Sequence, residues 1–164
     1  MKIQETWTYD APTDRVFAML LDRRFQEAKC AATGALRYSA SVEEQPPLHV
    51  IETRREMSTD GLPDSVARFV GNTLHIIEIQ RWGEPAADGS RSAELAVSIG
   101  GLPIDYTGRI RMSPDGGTTA MQVLGDLRAR IPLFGSKVES AAAPGISGGV
   151  RIEAETGQQY LAAR

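Results

Sequence analysis

The chain has 164 residues, of which 41% are hydrophobic and 24% charged, and its formal net charge is −3. This length and composition are typical of a soluble globular protein, and we expect one domain over residues 1–164. Lys and Arg are dispersed along the sequence, which argues against nucleic acid as a partner. The sequence has no run of about 18 apolar residues, so we expect no integral membrane segment.

The cysteine content and the first residues bear on the compartment. Cys30 is the single cysteine of the sequence, so no disulfide can form within it. We expect Cys30 to be a small buried hydrophobe and not a nucleophile. The segment from Met1 to Glu5 lacks the apolar core of a signal peptide. A cytoplasmic location is therefore expected.

The beginning of the chain predicts a strand followed by two short helices. β-Branched and aromatic residues dominate Lys2 to Tyr9, as in a strand. Pro12 then fixes φ where a helix can begin, and apolar residues follow at helical spacing from Val16 to Leu21. A second helical stretch starts after Asp22 and ends near Gly34.

The middle of the chain alternates between strand candidates and turn signals. Leu36 to Val42 and Leu48 to Met57 are predicted strands, separated by a loop over Glu43 to Pro47. A short helical piece is predicted from Pro63 to Val70. The next strand covers Thr73 to Trp82.

Three further strands, over 92–99, 104–112 and 119–131, show the clearest alternation of the sequence. Every second residue in them is apolar or glycine, while polar residues fill most positions between. Such a pattern predicts antiparallel strands with one packed face and one solvated face. Leu124, on the solvated face, departs from it.

A long helix is predicted near the C-terminus, from about Ser136 to Tyr160. Ser136 and Glu139 have the spacing of a capping box, which satisfies free amides at a helix start. The sequence does not decide whether this helix is unbroken from Pro144 to Gly149. Because one face of the sheet and one face of this helix must bury each other, the predicted class is α+β.

The order of these elements resembles that of the START-like (SRPBCC) helix-grip superfamily, and two segments carry the likeness. Residues 11–22, APTDRVFAMLLD, resemble its first-helix signature, and residues 131–139, IPLFGSKVE, resemble the strand-to-helix junction of a bacterial branch. The superfamily includes lipid-transfer domains, polyketide cyclases and plant pathogenesis-related proteins. The resemblance implies a curved antiparallel sheet of about seven strands, two short helices after the first strand, and a long C-terminal helix packed across the sheet. It also implies a pocket between sheet and helix, but it transfers no reaction.

Motifs for catalysis or metal binding are weak in this sequence. The G-x-S-x-G elbow of serine hydrolases is absent, and His49 and His75 are the two histidines, both in predicted strands. Zinc usually requires three or four converging ligands, which one cysteine and two separated histidines do not provide. We expect no metal and no cofactor. The acidic residues Glu153 and Glu155 are expected to lie on the solvated surface of the helix.

Glu78 lies in a predicted strand among apolar residues. It shares strand parity with Leu74 and Ile76, so its side chain is expected to point inward, where a carboxylate needs a partner. Residues 54–56 on the neighbouring strand, Arg-Arg-Glu, can supply one. Glu78 is therefore either part of a structural ion pair or an anchor for a ligand.

Small residues at inward positions suggest that side chains do not fill all of the space between the sheet and the helix. Gly108 and Gly125 lie on the inward faces of two strands, and the helix presents Ala142, Gly145 and Gly149 toward them. Protein interiors are close-packed, so either the helix closes tightly onto the sheet or a cavity remains. Alternatively, the strand glycines mark bends in a curved sheet.

These observations lead to three hypotheses. The first is a non-catalytic binder or carrier of a small hydrophobic or amphipathic ligand, such as a lipid, sterol or polyketide-like compound. The second is an enzyme that resembles polyketide cyclases or dehydratases, in which Tyr106, Glu78 or an inward Arg assists proton transfer. The third is an interaction domain with a filled core. A raised pKa at Glu78 would favour the enzyme, and a fully paired Glu78 would weaken it.

In the first hypothesis, Tyr106 orients the ligand through its hydroxyl group. The predicted ligand-binding residues share an inward position on a strand or on the C-terminal helix, and they are Tyr106, Glu78, Leu95, Val97, Ile99, Gly108, Ile110, Met121, Val123, Gly125, Val138, Ala142 and Ile146. The sequence does not distinguish a monomer from a homodimer.

Overall fold

The computed structural model describes residues 1–62, 64, 67 and 70–163. The elements of this part of the chain, in order, are β1 (Lys2–Tyr9), α1 (Thr13–Leu20), α2 (Arg23–Ala32), β2 (Arg37–Gln45), β3 (Leu48–Ser58), β4 (Thr73–Trp82), β5 (Arg91–Ile99), β6 (Ile104–Asp115), β7 (Thr118–Ala129) and α3 (Gly135–Ala162). This is the predicted order. The helical piece predicted from Pro63 rests on Pro63, Val66 and Phe69, which lie outside the described residues.

The seven strands form one antiparallel sheet in the order β1-β7-β6-β5-β4-β3-β2. All neighbours in the sheet are also neighbours in sequence, except that β1 pairs with β7. The sheet is open and curved, and α3 packs against β1 and β7 at one side of it. The architecture is therefore an α+β helix-grip fold, as predicted.

The two short helices begin and end where the sequence signals lie. Asp22 is the N-cap of α2, and its side chain accepts a hydrogen bond from the amide of Arg24. Gly34 follows α2 with a φ of +76°, a conformation that glycine adopts without strain. Cys30 is fully buried in this helix, as expected.

Three strand boundaries differ from the prediction by more than one residue. The segment Glu43–Gln45 belongs to β2, because Pro46 and Pro47 alone make the turn and Gln45 pairs with Leu48. β6 extends to Asp115, and the reversal falls on Gly116 and Gly117, whose φ angles are +57° and +94°. β7 ends at Ala129, after which the amide of Arg130 donates to the carbonyl of Pro103.

The helix α3 is continuous through Pro144 and the glycines that follow it. The predicted capping box is wrong, because the helix begins one residue earlier, at Gly135, and its first turn has no side-chain cap. Glu139 instead accepts a hydrogen bond from the amide of Ala129 at 3.0 Å, which joins the helix to the end of β7.

Gly108 and Gly125 allow close packing and leave no empty volume. They are paired with each other across β6 and β7. A Cβ atom at Gly108 would collide with the carbonyl oxygen of Leu124, and one at Gly125 would lie 2.5 Å from the ring of Tyr106. The ring of Tyr106 therefore occupies the space above Gly125, and its hydroxyl donates to the carbonyl of Ile3 at 3.3 Å.

We expect Gly125→Ala to lower the free energy of unfolding by about 2 kcal/mol, because the added methyl group displaces the Tyr106 ring from a packed position. Urea unfolding measures this change. Leu124→Ala is the matched control, since Leu124 is 46% exposed on the outer face of the same strand. Its effect should stay within about 0.5 kcal/mol, and equal losses in the two variants would contradict the packing role of Gly125.

Candidate functional site: a cavity between the sheet and the C-terminal helix

A cavity of about 490 Å³ lies between the inner face of the sheet and α3. Most of the side chains around it are aliphatic, and they come from β3 to β7 and from the first two thirds of α3. The helix is buried near its two ends, at Val138 and at Gly157 and Leu161, and is half-buried or exposed between residues 141 and 150. The cavity therefore lies beneath the middle of the helix.

Most of the predicted pocket residues line this cavity. They are Tyr106, Glu78, Leu95, Val97, Ile99, Ile110, Val123, Val138, Ala142 and Ile146. The alternation of β4 to β7 accounts for the strand members of this set, since residues of one parity in each strand share the face that borders the cavity. That these residues contact a ligand remains a prediction.

Gly108, Gly125 and Met121 do not line the cavity. Gly125 lies beneath the Tyr106 ring, and Gly108 lies against the backbone of Leu124. Met121 is buried in the packed core, at the register of Met112 and Trp7 on the flanking strands.

Three glycines of α3 create the space that the strand glycines do not. Gly145, Gly148 and Gly149 all line the cavity, and a Cβ atom added at any of them would meet no atom within 4 Å. Each glycine in a helix interior costs about 1 kcal/mol relative to alanine. Because they make no close contact, these glycines do not serve helix–sheet packing. They enlarge the cavity instead.

The polar end of the cavity is formed by four charged side chains, Lys29, Arg55, Glu78 and Glu153, which we call the charged quartet. Lys29 donates to Glu78 at 2.9 Å and to Glu153 at 3.2 Å. Arg55 donates to the second carboxylate oxygen of Glu78 at 3.0 Å. Their side chains are poorly accessible, with exposures of 3% for Lys29, 11% for Arg55 and 13% for each glutamate.

Glu78 is the most highly connected member of the quartet. Besides Lys29 and Arg55, the amide group of Gln80 donates to it at 2.9 Å, and Gln80 in turn accepts from the indole of Trp82 at 2.9 Å. Burial acts to raise the pKa of Glu78, but the positive charges of Lys29 and Arg55 outweigh burial and lower the pKa to about 2. For Lys29, burial acts to lower the pKa, but Glu153 and Glu78 together raise it above its usual value.

These shifts predict a loss of stability in acid. Because the pKa of Glu78 falls from 4.5 to about 2 on folding, its contribution is complete above pH 4.5 and is lost as the pH falls toward 2. We expect the free energy of unfolding of the native chain to decrease over that interval. The decrease should be smaller in Glu78→Gln, as measured by urea unfolding at a series of pH values.

The control for this pH series is Glu44→Gln, which changes an exposed glutamate of β2. Its pH dependence should follow that of the native chain. If Glu78→Gln also follows the native chain, the quartet does not hold Glu78 in its charged form.

Two members of the quartet were not recognised in the sequence. Lys29 follows Phe25 by one helical turn and shares its buried face. A lysine on an apolar helix face is the feature of the sequence that could have indicated a buried charge. Glu153 was expected on a solvated surface, and this was wrong: it lies one turn after Gly149 on the cavity side of α3. Glu155 is exposed, as expected. Neither His49 nor His75 lines the cavity.

The sequence profile of the family described as "Protein of unknown function (DUF2505)" matches residues 4–161. The chain belongs to the DUF2505 family. No curated protein matches its sequence. No helix among the described residues of this DUF2505 chain is long and apolar enough to cross a membrane.

Solved structures with the same fold include an aromatase/cyclase and two START-type proteins. The Zhui aromatase/cyclase from Streptomyces sp. R1128 has a TM-score of 0.65 and 13% identity, over 100% of this chain and 94% of that one. The STAR-related lipid transfer protein from Xanthomonas axonopodis has a TM-score of 0.59 and 12% identity, over 98% and 85%. A START superfamily protein from Mycobacterium smegmatis has a TM-score of 0.58 and 14% identity, over 97% and 98%. These similarities establish a START-like fold for the DUF2505 chain.

Proposed function

We propose that this DUF2505 chain binds or carries a small hydrophobic or amphipathic molecule in the cavity between the sheet and α3. The observation that carries the proposal is the open space beside Gly145, Gly148 and Gly149, where a Cβ atom would meet nothing within 4 Å. A cavity of about 490 Å³ is within the range of small-molecule sites. Burial of the ligand's apolar surface against the aliphatic walls would supply the binding free energy.

The enzyme hypothesis receives less support from the same site. A general acid that works near neutral pH needs a raised carboxyl pKa, whereas the pKa of Glu78 is lowered by Lys29 and Arg55. The hydroxyl of Tyr106 already donates its proton to the carbonyl of Ile3, so it is not free to act as a proton donor. Its oxygen can still accept a hydrogen bond from a ligand.

The filled-core hypothesis requires that no cavity exists between the sheet and α3. The cavity beneath α3 argues against that hypothesis.

Titration with Nile red, a neutral dye whose fluorescence rises in apolar surroundings, tests the proposal. We expect saturable fluorescence with one dye molecule bound per chain. Trp7 lines the cavity, so its emission should be quenched in parallel with the rise in dye fluorescence. A linear, non-saturating increase with no change in tryptophan emission would contradict a binding cavity and would favour the interaction domain.

A further inference from the structure

The strand β2 is an edge of the sheet, and one of its sides has no strand beside it. β2 pairs with β3 on its other side. Among the described residues, no backbone hydrogen bond links the free side of β2 to another element. The helix α2 also contacts β2, but seven of the nine residues of the strand are exposed and Ala40 alone is buried. An edge of this kind offers a row of N–H and C=O groups to a further strand.

This edge lacks features that commonly protect an exposed strand from pairing. Natural edge strands are often short, or are interrupted by a charged residue or a proline. β2 has nine residues, and from Tyr38 to Val42 it contains neither a charged residue nor a proline. The other edge strand, β1, differs because α3 packs against it. The sheet is therefore open to extension at β2.

Alternate residues of β2 direct their backbone groups toward the free side. Gln45 pairs with Leu48 across a two-residue turn, so Gln45 and every second residue before it form the hydrogen-bonded pairs with β3. The backbone N–H and C=O groups of Tyr38, Ala40 and Val42 therefore point away from β3. A further strand would pair through these three residues.

Apolar side chains are exposed along the same edge. Leu36, directly before β2, is 60% exposed, and Tyr38 is 46% exposed. They are two of the five large hydrophobic side chains that are exposed in the described part of the chain. Val42 has the same parity and is half-buried. Exposed apolar side chains beside unpaired backbone groups are typical of an interaction surface.

The outer face of β2 carries charges of opposite sign near its two ends. Arg37 and Glu43 lie opposite Glu56 and Val50 of β3, on the face of the sheet that points away from the cavity. Within the described residues, neither Arg37 nor Glu43 forms an ion pair. The strand thus contains both a charge and its complement, separated by six positions.

These charges favour one register for pairing between two β2 strands. If the strands run antiparallel about a twofold axis at Ala40, Arg37 of each copy lies opposite Glu43 of the other. These are non-hydrogen-bonded pairs, in which the side chains approach most closely. A twofold axis at Ser41 would instead place Arg37 opposite Gln45, which has no charge.

We propose that two copies of this chain associate through antiparallel pairing of their β2 strands, so that the two sheets join into one. The partner is a second copy because β2 supplies both halves of the charge pair. Since two single strands form a small interface, we expect a dissociation constant on the order of 10 µM. Each copy keeps its own cavity, so this inference does not depend on the proposed function.

Sedimentation equilibrium tests the association, with the native chain at about 1 to 200 µM to span the expected dissociation constant. The average mass should rise from that of one chain to that of two. Arg37→Glu and Glu43→Arg each place like charges opposite one another twice, so each should weaken association at least about tenfold. The double variant, with both changes, should associate like the native chain. Because Arg37 and Glu43 are about 20 Å apart within one strand, such a rescue can arise only between chains.

Lys137→Glu is the matched control, because it makes the same change of charge at an exposed position of α3 and should leave association unchanged. A native chain that stays monomeric over the whole concentration range would overturn the inference. So would single variants that dimerise with native affinity, since association would then use another surface. A double variant that associates no better than either single variant would refute the pairing of Arg37 with Glu43.

Discussion

Lys29→Met should lower the free energy of unfolding by about 3 kcal/mol, because it removes one partner of a buried ion-pair network. Lys29 is 3% exposed and bridges Glu78 on β4 and Glu153 on α3. Methionine fills a similar volume, but it leaves Glu153 without its 3.2 Å partner in a poorly solvated site. Unfolding in urea, followed by circular dichroism, measures the loss.

A second substitution separates the charge from the packing of Lys29. Glu153→Gln in the Lys29→Met background removes the unpaired carboxylate, so the double variant should be more stable than Lys29→Met alone. Arg23→Met provides the control, because Arg23 is 67% exposed and pairs with Glu27 within one helix. Such a surface pair should change stability by less than about 1 kcal/mol. If Lys29→Met behaves like Arg23→Met, the quartet does not stabilise the fold.

Gly149→Leu, in contrast, should make the protein more stable and weaken its binding of a ligand. Helix propensity favours leucine over glycine by about 1 kcal/mol, and a Cβ atom at this cavity-lining position meets no atom within 4 Å. We expect the affinity for Nile red to fall at least about tenfold, because the leucine occupies the volume that the dye requires. Thermal unfolding and dye titration on the same samples measure the two effects.

Ser140→Leu is the matched control for this variant. It introduces the same side chain into the same helix at an exposed position, so dye affinity should be unchanged. A Gly149→Leu protein that is destabilised would indicate that the helix already packs closely against the sheet. One that is stabilised and still binds with native affinity would place the ligand elsewhere.

The sequence predicted the sheet well where one face is packed and the other is solvated. The alternation of residues 92–99 and 104–112 identifies β5 and β6, and most of the inward residues of these strands line the cavity. This information is local, since the direction of a side chain in a strand follows from parity alone. The resemblance to the helix-grip superfamily supplied the order in which strands and helices pack.

The origin of the cavity could not be predicted in the same way. In the sequence, Gly125 and Gly149 are alike: each is an inward position without a side chain. In the structure, Gly125 lies beneath the Tyr106 ring, whereas Gly149 borders open space. The difference depends on Tyr106 reaching across β7 toward Ile3, which requires the register of three strands. No spacing along the chain contains that information.

The quartet shows a second limit of reasoning from sequence. Glu78 was placed inward by its parity in β4, and one of its predicted partners, Arg55, is correct. Lys29 and Glu153 lie 49 positions before and 75 positions after Glu78 in sequence, and they meet it because α2 and α3 pack together over the sheet. Their charges suggested solvent exposure, and the tertiary structure overrides that expectation through mutual pairing.

The measurement that tests the central claim most directly is native mass spectrometry of the protein isolated from its own host, followed by solvent extraction and identification of any bound molecule. We expect one small apolar or amphipathic adduct per chain in the native protein, and none in Gly149→Leu prepared in the same way. A native protein that carries no adduct, and that also fails to bind Nile red, would contradict the proposal that the space beneath α3 is a ligand site.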